Sequence, residues 1–283
     1  MRLHKILNVF ALLILFSSTG CVLRESSQQP WFFIQLTDPQ FGMFENNDGF
    51  EKETYLYEKA VGNINRLKPD FVAITGDFVH SSGSTEQIEE FKRITAMIDP
   101  VIPVFYTPGN HDVGQIPDEE SLKSYVSNYG PARFSFKHKG SIFIGFNTSL
   151  IKGRLDEQEQ EQFEWLANEI RENQSSKHII LFCHYPFFNK SVDEPTAYSN
   201  IDSEYRKKYL DLFSAGNVDA VFSGHYHNNS LSVYGNTQMV TTSALGKPLG
   251  SAPSGMRIIR VYNDRIEHEY FGLEVMPDSI NYN

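Results

Sequence analysis

Five short apolar runs in this chain each stop at residues able to bind metal. "WFFIQLT" (31–37) is followed by Asp38 and Gln40, and "DFVAIT" (70–75) by Gly76-Asp77. "VIPVFY" (101–106) leads into Gly109-Asn110-His111-Asp112, "HIILFC" (178–183) into His184, and "VDAVFS" (218–223) into Gly224-His225-Tyr226-His227. A short apolar run closed by polar turn residues predicts a buried strand, so each cluster is expected at a strand's carboxyl end. Singly the clusters are ordinary. Asp38-Pro39 starts turns, Gly-Asp is a common turn, and a lone His184 reads as a hydrogen-bonded structural residue. Only Gly-His-x-His is a metal candidate by itself. Ligands of open α/β sheets bind outside the carboxyl ends of the strands, and five such ends together read as one site.

Between these runs the apolar spacing turns helical. Leu56, Ala60, Val61, Ile64 and Leu67 share a face over 51–67, and Ile88, Phe91, Ile94 and Ile98 over 85–98. Residues 118–128, with Asp118 as N-cap, 156–173 and 203–215 complete the predicted helices. Pro103 puts the third strand at a sheet edge or weakens it. A Lys-Gly turn joins the hairpin 133–138 and 141–147. The chain ends in strands at 229–235, 238–243, 257–263 and 265–271. Alternating strands and helices followed by a run of strands predict an α/β fold, two packed mixed β-sheets flanked by helices.

Arg2, His4 and Lys5 precede the apolar stretch "ILNVFALLILF" (6–16) and "SSTGC" (17–21), which together read as an export signal. Cleavage before Cys21 resembles bacterial lipoprotein processing, although Ser18 stands where such signals carry an aliphatic residue. The expectation is a signal over 1–21, a linker over 22–29, one domain over 30–275 and a tail over 276–283. Such a protein is exported and touches membrane only through a lipid at Cys21; a plain secretory signal or an uncleaved anchor is the alternative. The one other cysteine, Cys183, excludes a disulfide framework and reads as a small core residue. A formal charge of −10, with no basic cluster beyond Arg206-Lys207-Lys208, argues against a nucleic-acid partner. Those three charges either attract an anionic substrate or form a solvated face. His138, His178 and His268 lie in strand-like runs and read as structural.

Taken in order, Asp38-x-Gln40, Gly76-Asp77, Gly109-Asn110-His111-Asp112, His184 and Gly224-His225-x-His227 resemble the motifs of the calcineurin-like metallophosphoesterase superfamily. The resemblance implies a four-layer sandwich and two divalent metal ions, for which mixed imidazole and oxygen ligands suit Mn, Fe or Zn. Asp38, Gln40, Asp77 and His227 would hold the first ion, and Asp77, Asn110, His184 and His225 the second, with Asp77 bridging. Gln40 departs from the histidine usual there; it either ligates or hydrogen-bonds a metal-held water. A hydroxide between the metals would attack a phosphomonoester, including phosphorylated Ser or Thr of a protein. His111 would protonate the leaving oxygen, and Asp112 would orient that imidazole or support a metal-binding histidine. His80 is a further candidate, and the connection 185–202, leaving from His184, is expected to wall the pocket. The alternatives are a phosphodiesterase or nucleotide hydrolase on the same fold, and an exported binding lipoprotein without turnover.

Overall fold

Every residue of the first strand, β1 (Trp31–Leu36), is buried, as a strand covered on both faces must be. It lies inside a sheet that exists because the chain alternates strand and helix. Helix α1 (Glu51–Leu67) returns the chain to β2 (Val72–Thr75), and α2 (Thr85–Thr95) returns it to β3 (Val104–Thr107). Then come the short α3 (Asn110–Val113), α4 (Glu119–Tyr129), the hairpin β4 (Phe134–His138) and β5 (Ser141–Gly145), α5 (Thr148–Lys152) and α6 (Asp156–Glu172). Strand β6 (Ile179–Phe182), α7 (Ser203–Ala215) and strands β7 (Ala220–Ser223), β8 (Ser230–Tyr234), β9 (Thr237–Thr241), β10 (Gly255–Val261) and β11 (Ile266–Gly272) finish the fold. These assignments come from a computed structural model that describes residues 29–282. The expected signal with its Cys21 and most of the expected linker lie outside the described residues.

The first sheet has the order β11-β10-β1-β2-β3 and the second β4-β5-β6-β7-β9-β8. β1, β2 and β3 run parallel, as do β5, β6, β7 and β9, so the carboxyl ends of five strands carry the polar clusters. The predicted class therefore holds: two mixed sheets with helices outside. β3 is an edge strand and begins after Pro103, whose carbonyl accepts from Val72 N at 2.9 Å. The Lys-Gly hairpin turn has φ of 46° at Lys139 and 79° at Gly140, the two positive values a tight hairpin turn needs. Asp118 caps α4 by accepting from Ser121 N at 2.7 Å. Two short helices, α3 and α5, were not legible in the apolar spacing because one turn has no period to read.

Alternation along each strand divides the core. Ile34, Val72 and Ile74 pack outward against Tyr57, Val61, Phe91 and Ile94 of α1 and α2. In the second sheet Ile144, Ile179 and Leu181 pack against α6 and α7 through Leu166, Ile170, Tyr209 and Phe213. Between the sheets lies an aromatic layer centred on Phe33. It stacks on Phe71 at 4.6 Å and meets Phe143, Phe182 and Phe222 edge-on at 5.6, 5.8 and 6.2 Å. Because Phe33 is fully buried at the centre of this layer between the two sheets, Phe33→Ala should destabilise the protein by about 3–5 kcal/mol. Urea unfolding checks this; a loss well under that range would mean the sheets close over the gap.

Candidate metal centre

The two sheets contribute different chemistry. Asp38, Gln40, Asp77 and Asn110 follow strands of the first sheet; His184, His225 and His227 follow strands of the second. The loops reach each other because the chain bends sharply as it leaves each strand. Asp38, Gln40, Asp77, His225 and His227 all have positive φ, between 42° and 64°. Left-handed backbone costs an L-residue about 1–2 kcal/mol, so five such residues at one place mark stored strain at a functional position. Backbone bonds hold the bends: Asp38 N donates to Gly76 O at 3.0 Å and Gln40 N to Asp77 O at 2.9 Å. Gly224 is required by close approach, since a Cβ there would lie 1.8 Å from Thr37 Oγ1 and 2.6 Å from Asp38 Oδ2.

Ligand atoms of Asp38, Asp77 and His227 lie within 4.8 Å of one another, and so do those of Asp77, His184 and His225. Asp77 belongs to both groups, as a bridging carboxylate would. His184 Nε2 is 3.2 Å from Asp77 Oδ2 and 3.2 Å from Asn110 Oδ1, and His227 Nε2 is 3.2 Å from Asp38 Oδ1. Each imidazole has its other nitrogen fixed by a backbone carbonyl. His184 Nδ1 donates to Thr75 O at 2.8 Å, His225 Nε2 to Tyr198 O at 3.0 Å, and His227 Nδ1 to Lys247 O at 2.7 Å. Such bonds set the tautomer and aim the free nitrogen, the arrangement usual behind metal-binding histidines. Thr37 Oγ1 donates to Asp38 Oδ2 at 2.6 Å and so turns the other carboxylate oxygen, Oδ1, toward His227.

Gln40 supplies the test of fit. Its amide nitrogen donates to His80 Nδ1 at 3.4 Å, while its buried Oε1 has no hydrogen-bond partner among the described residues. A buried amide oxygen without a donor costs about 1–3 kcal/mol. A cation or its water beside Asp38 and Asp77 would satisfy it. The donor set therefore fits two divalent cations, with oxygen-rich ligation on the Asp38 side and more imidazole on the His184 side.

His111 and Asp112 follow Asn110 in α3, yet they face different neighbours. His111 N donates to Asp77 Oδ1 at 2.8 Å, its Nδ1 donates to His80 O at 2.8 Å, and its ring stacks on His80 at 4.8 Å. His111 Nε2 is left for solvent or substrate, and His80 joins the site by touching both Gln40 and His111. Asp112 corrects an expectation: none of its hydrogen bonds goes to an imidazole. Its Oδ2 accepts from Asp77 N and Gly109 N, and its Oδ1 from Phe78 N, each at 2.8 Å. It clamps the turns that carry Asp77 and Asn110. Burial and the Asp77 charge push its carboxyl up to about 8, against the pull of those donors.

Two further parts take roles that sequence reasoning did not single out. Arg206 is buried and neither faces solvent nor attracts substrate. Its guanidinium donates to the carbonyls of Ile201, Val192, Glu194 and Pro195, stapling the 185–202 connection. Lys207 pairs with Asp211 and Lys208 with Glu159. Tyr198, inside that connection, touches both Asn110 and His225. His138 bonds to Asp70, His178 to Tyr262 O and His268 to Gln238, contacts that fit structural residues.

The sequence profile of the calcineurin-like phosphoesterase family matches residues 33–229. This chain belongs to that family. It is by that membership a metal-dependent phosphoesterase. It is 35% identical over 268 residues to the serine/threonine-protein phosphatase CPPED1 of Bos taurus, covering 88% of this chain and 86% of that protein. The Homo sapiens counterpart is 35% identical over 269 residues, again covering 88% and 86%. Among solved structures, a dimetal phosphatase from Danio rerio superposes with a TM-score of 0.65 at 14% identity, over 86% of this chain and 96% of that one. The purple acid phosphatase PPD1 from yellow lupin gives 0.60 at 14% identity, over 88% of this chain and 52% of that one. Both likenesses establish the four-layer fold.

Electrostatics of the phosphoesterase centre give a pH prediction. Burial pulls the His184 imidazole down, but the Asp77 charge and hydrogen bond outweigh it and push the group up to about 9. Burial and the His184 charge drive His225 down to about 3. At neutral pH a proton therefore sits on His184 and none on His225. A cation taking His184 Nε2 must displace that proton, so Mn²⁺ affinity should rise with pH toward 9 and level off above it. Calorimetry in buffers of different ionisation heat reads the released protons; heats independent of buffer would contradict the assignment.

Proposed function

We propose that this chain is a phosphomonoesterase that uses two divalent cations at this centre. One observation carries the reading: Asp77 is common to both ligand groups. Asp38, Gln40, Asp77 and His227 hold one cation, and Asp77, Asn110, His184 and His225 the other. When bound, such a pair neutralises phosphate charge and lowers the pKa of an attacking water. The chain's own residues do the rest. The carbonyls behind His184, His225 and His227 keep the donors aimed, and Asp112 holds the two turns in place. His111, with Nδ1 committed to His80 O, presents Nε2 to the leaving oxygen and delivers a proton there. Preference for monoesters is supported by the likeness to CPPED1, a serine/threonine-protein phosphatase.

Asp77→Asn and His225→Ala should abolish hydrolysis of an aryl phosphomonoester in Mn²⁺ while leaving circular dichroism unchanged. His111→Ala should lower kcat by about 10²–10⁴-fold, the range for a general acid. Wild-type rates in any of the three would sink the assignment, and a preference for diester reporters would replace monoesterase with diesterase.

Export and lipid attachment at Cys21 belong to the same proposal and rest on Arg2, Lys5, the apolar run 6–16 and Cys21 alone. The substrate is then a phosphomonoester met outside the cytoplasm. In a bacterial host, labelled palmitate should enter the wild-type chain and not Cys21→Ala; equal labelling would refute lipidation at that residue.

A further inference from the structure

Tyr198 stands over the half of the centre formed by Asn110 and His225, and its hydroxyl proton has no acceptor among the described residues. Asn110 Oδ1 faces His184, so its amide nitrogen turns outward and donates to the Tyr198 hydroxyl oxygen at 3.2 Å. Gln115 Oε1 accepts from Tyr185 at 3.3 Å, so its amide nitrogen also donates to the Tyr198 oxygen, at 3.2 Å. Two donors fill both lone pairs of that oxygen. Its own O–H must point elsewhere, and the described residues offer it no acceptor. The ring lies 4.8 Å from His225 and the residue is 59% exposed, so this proton meets whatever enters the centre from solvent.

The segment that carries Tyr198 is held like a strap. Tyr198 O is tied to His225 Nε2. Lys152 Nζ donates to Ala197 O, Asn200 O and Asp202 Oδ1 at 2.8, 2.9 and 2.6 Å. Arg206 staples the carbonyls of Val192, Glu194, Pro195 and Ile201 from beneath. Two cations, the buried Arg206 and the half-buried Lys152, are held against one connection and fix the hydroxyl instead of letting it swing with a mobile lid. A fixed donor aimed at incoming anions is useful only if its partner is an acceptor, and a phosphoryl group carries nothing else.

We propose that Tyr198 is a substrate-contacting residue whose phenol O–H donates a hydrogen bond to a non-bridging phosphoryl oxygen of the bound ester. This rests on the phosphoesterase reading above, which it deepens by adding a neutral donor from outside the family motifs. No bond to hydrogen breaks; the phenol keeps its proton.

Tyr198→Phe keeps the ring and the carbonyl and removes only the hydroxyl. Calorimetry with Mn²⁺ and then inorganic phosphate should show unchanged Mn²⁺ stoichiometry and affinity, with phosphate bound about 10–100-fold more weakly, the size of a hydrogen bond to a charged group. Turnover of a phosphomonoester should fall by a similar factor in kcat/KM. Gln115→Ala, which removes one donor and leaves the phenol proton in place, should change phosphate affinity by less than Tyr198→Phe does. Unchanged phosphate affinity in Tyr198→Phe overturns the contact, as does a wild type that binds no phosphate. A fall in Mn²⁺ binding also overturns it, because the hydroxyl would then serve only to hold Asn110. A wild type that binds phosphate through Tyr198 but hydrolyses no ester would sink the hydrolase reading and leave the contact standing.

Discussion

Two carboxylates, Asp38 and Asp77, are buried at the seam between two sheets, and most of the local structure exists to make that tolerable. An unpaired carboxylate inside a protein would cost several kcal/mol or take up a proton. Neither happens here. Burial pushes Asp38 up, but His227 and His184 outweigh it and hold its carboxyl below the usual range; His184 does the same for Asp77. Thr37, His111 N and His225 N add hydrogen bonds to the charged forms. The second sheet thus supplies imidazoles where the first supplies negative charge, and the aromatic layer around Phe33 holds the two in register.

That arrangement explains why strain collects at the strand ends. To bring Asp38, Asp77 and the two histidines of the last motif into one volume, the chain must turn back on itself immediately after each strand. Left-handed φ values at five residues are the local cost, and backbone bonds between neighbouring loops offset it. The third carboxylate, Asp112, works at this level. By accepting from N–H groups of Asp77, Phe78 and Gly109 it ties two of the turns together. A centre built this way is stiff before any cation or substrate arrives, which favours catalysis by positioning.

The residues of the centre were legible in the sequence because their signal is local: an apolar run, a glycine and a polar side chain able to ligate. The helices α1, α2, α6 and α7 were legible for the same reason, each having several turns of apolar spacing. What failed to show was anything that depends on who sits opposite. Arg206 looks like part of a solvated basic stretch, and its burial under four carbonyls follows only from how 192–201 folds over it. Asp112 looks like a partner for the imidazole beside it in sequence, but one helical turn sends the two side chains in different directions. Tyr198 lies within a segment marked for its length, with nothing in the residue itself to separate it from Phe187 or Phe188, which are buried.

The sequence by itself determined the order of the strands and the longer helices and which chemical groups stand at the carboxyl ends of five strands, because both are written in near-neighbour patterns. Only the tertiary structure decided which nitrogen of each histidine is free to meet a cation. That choice belongs to the carbonyls of Thr75, Tyr198 and Lys247. A carbonyl is the same in every residue, so nothing in the amino-acid letters marks the ones that come to lie behind an imidazole.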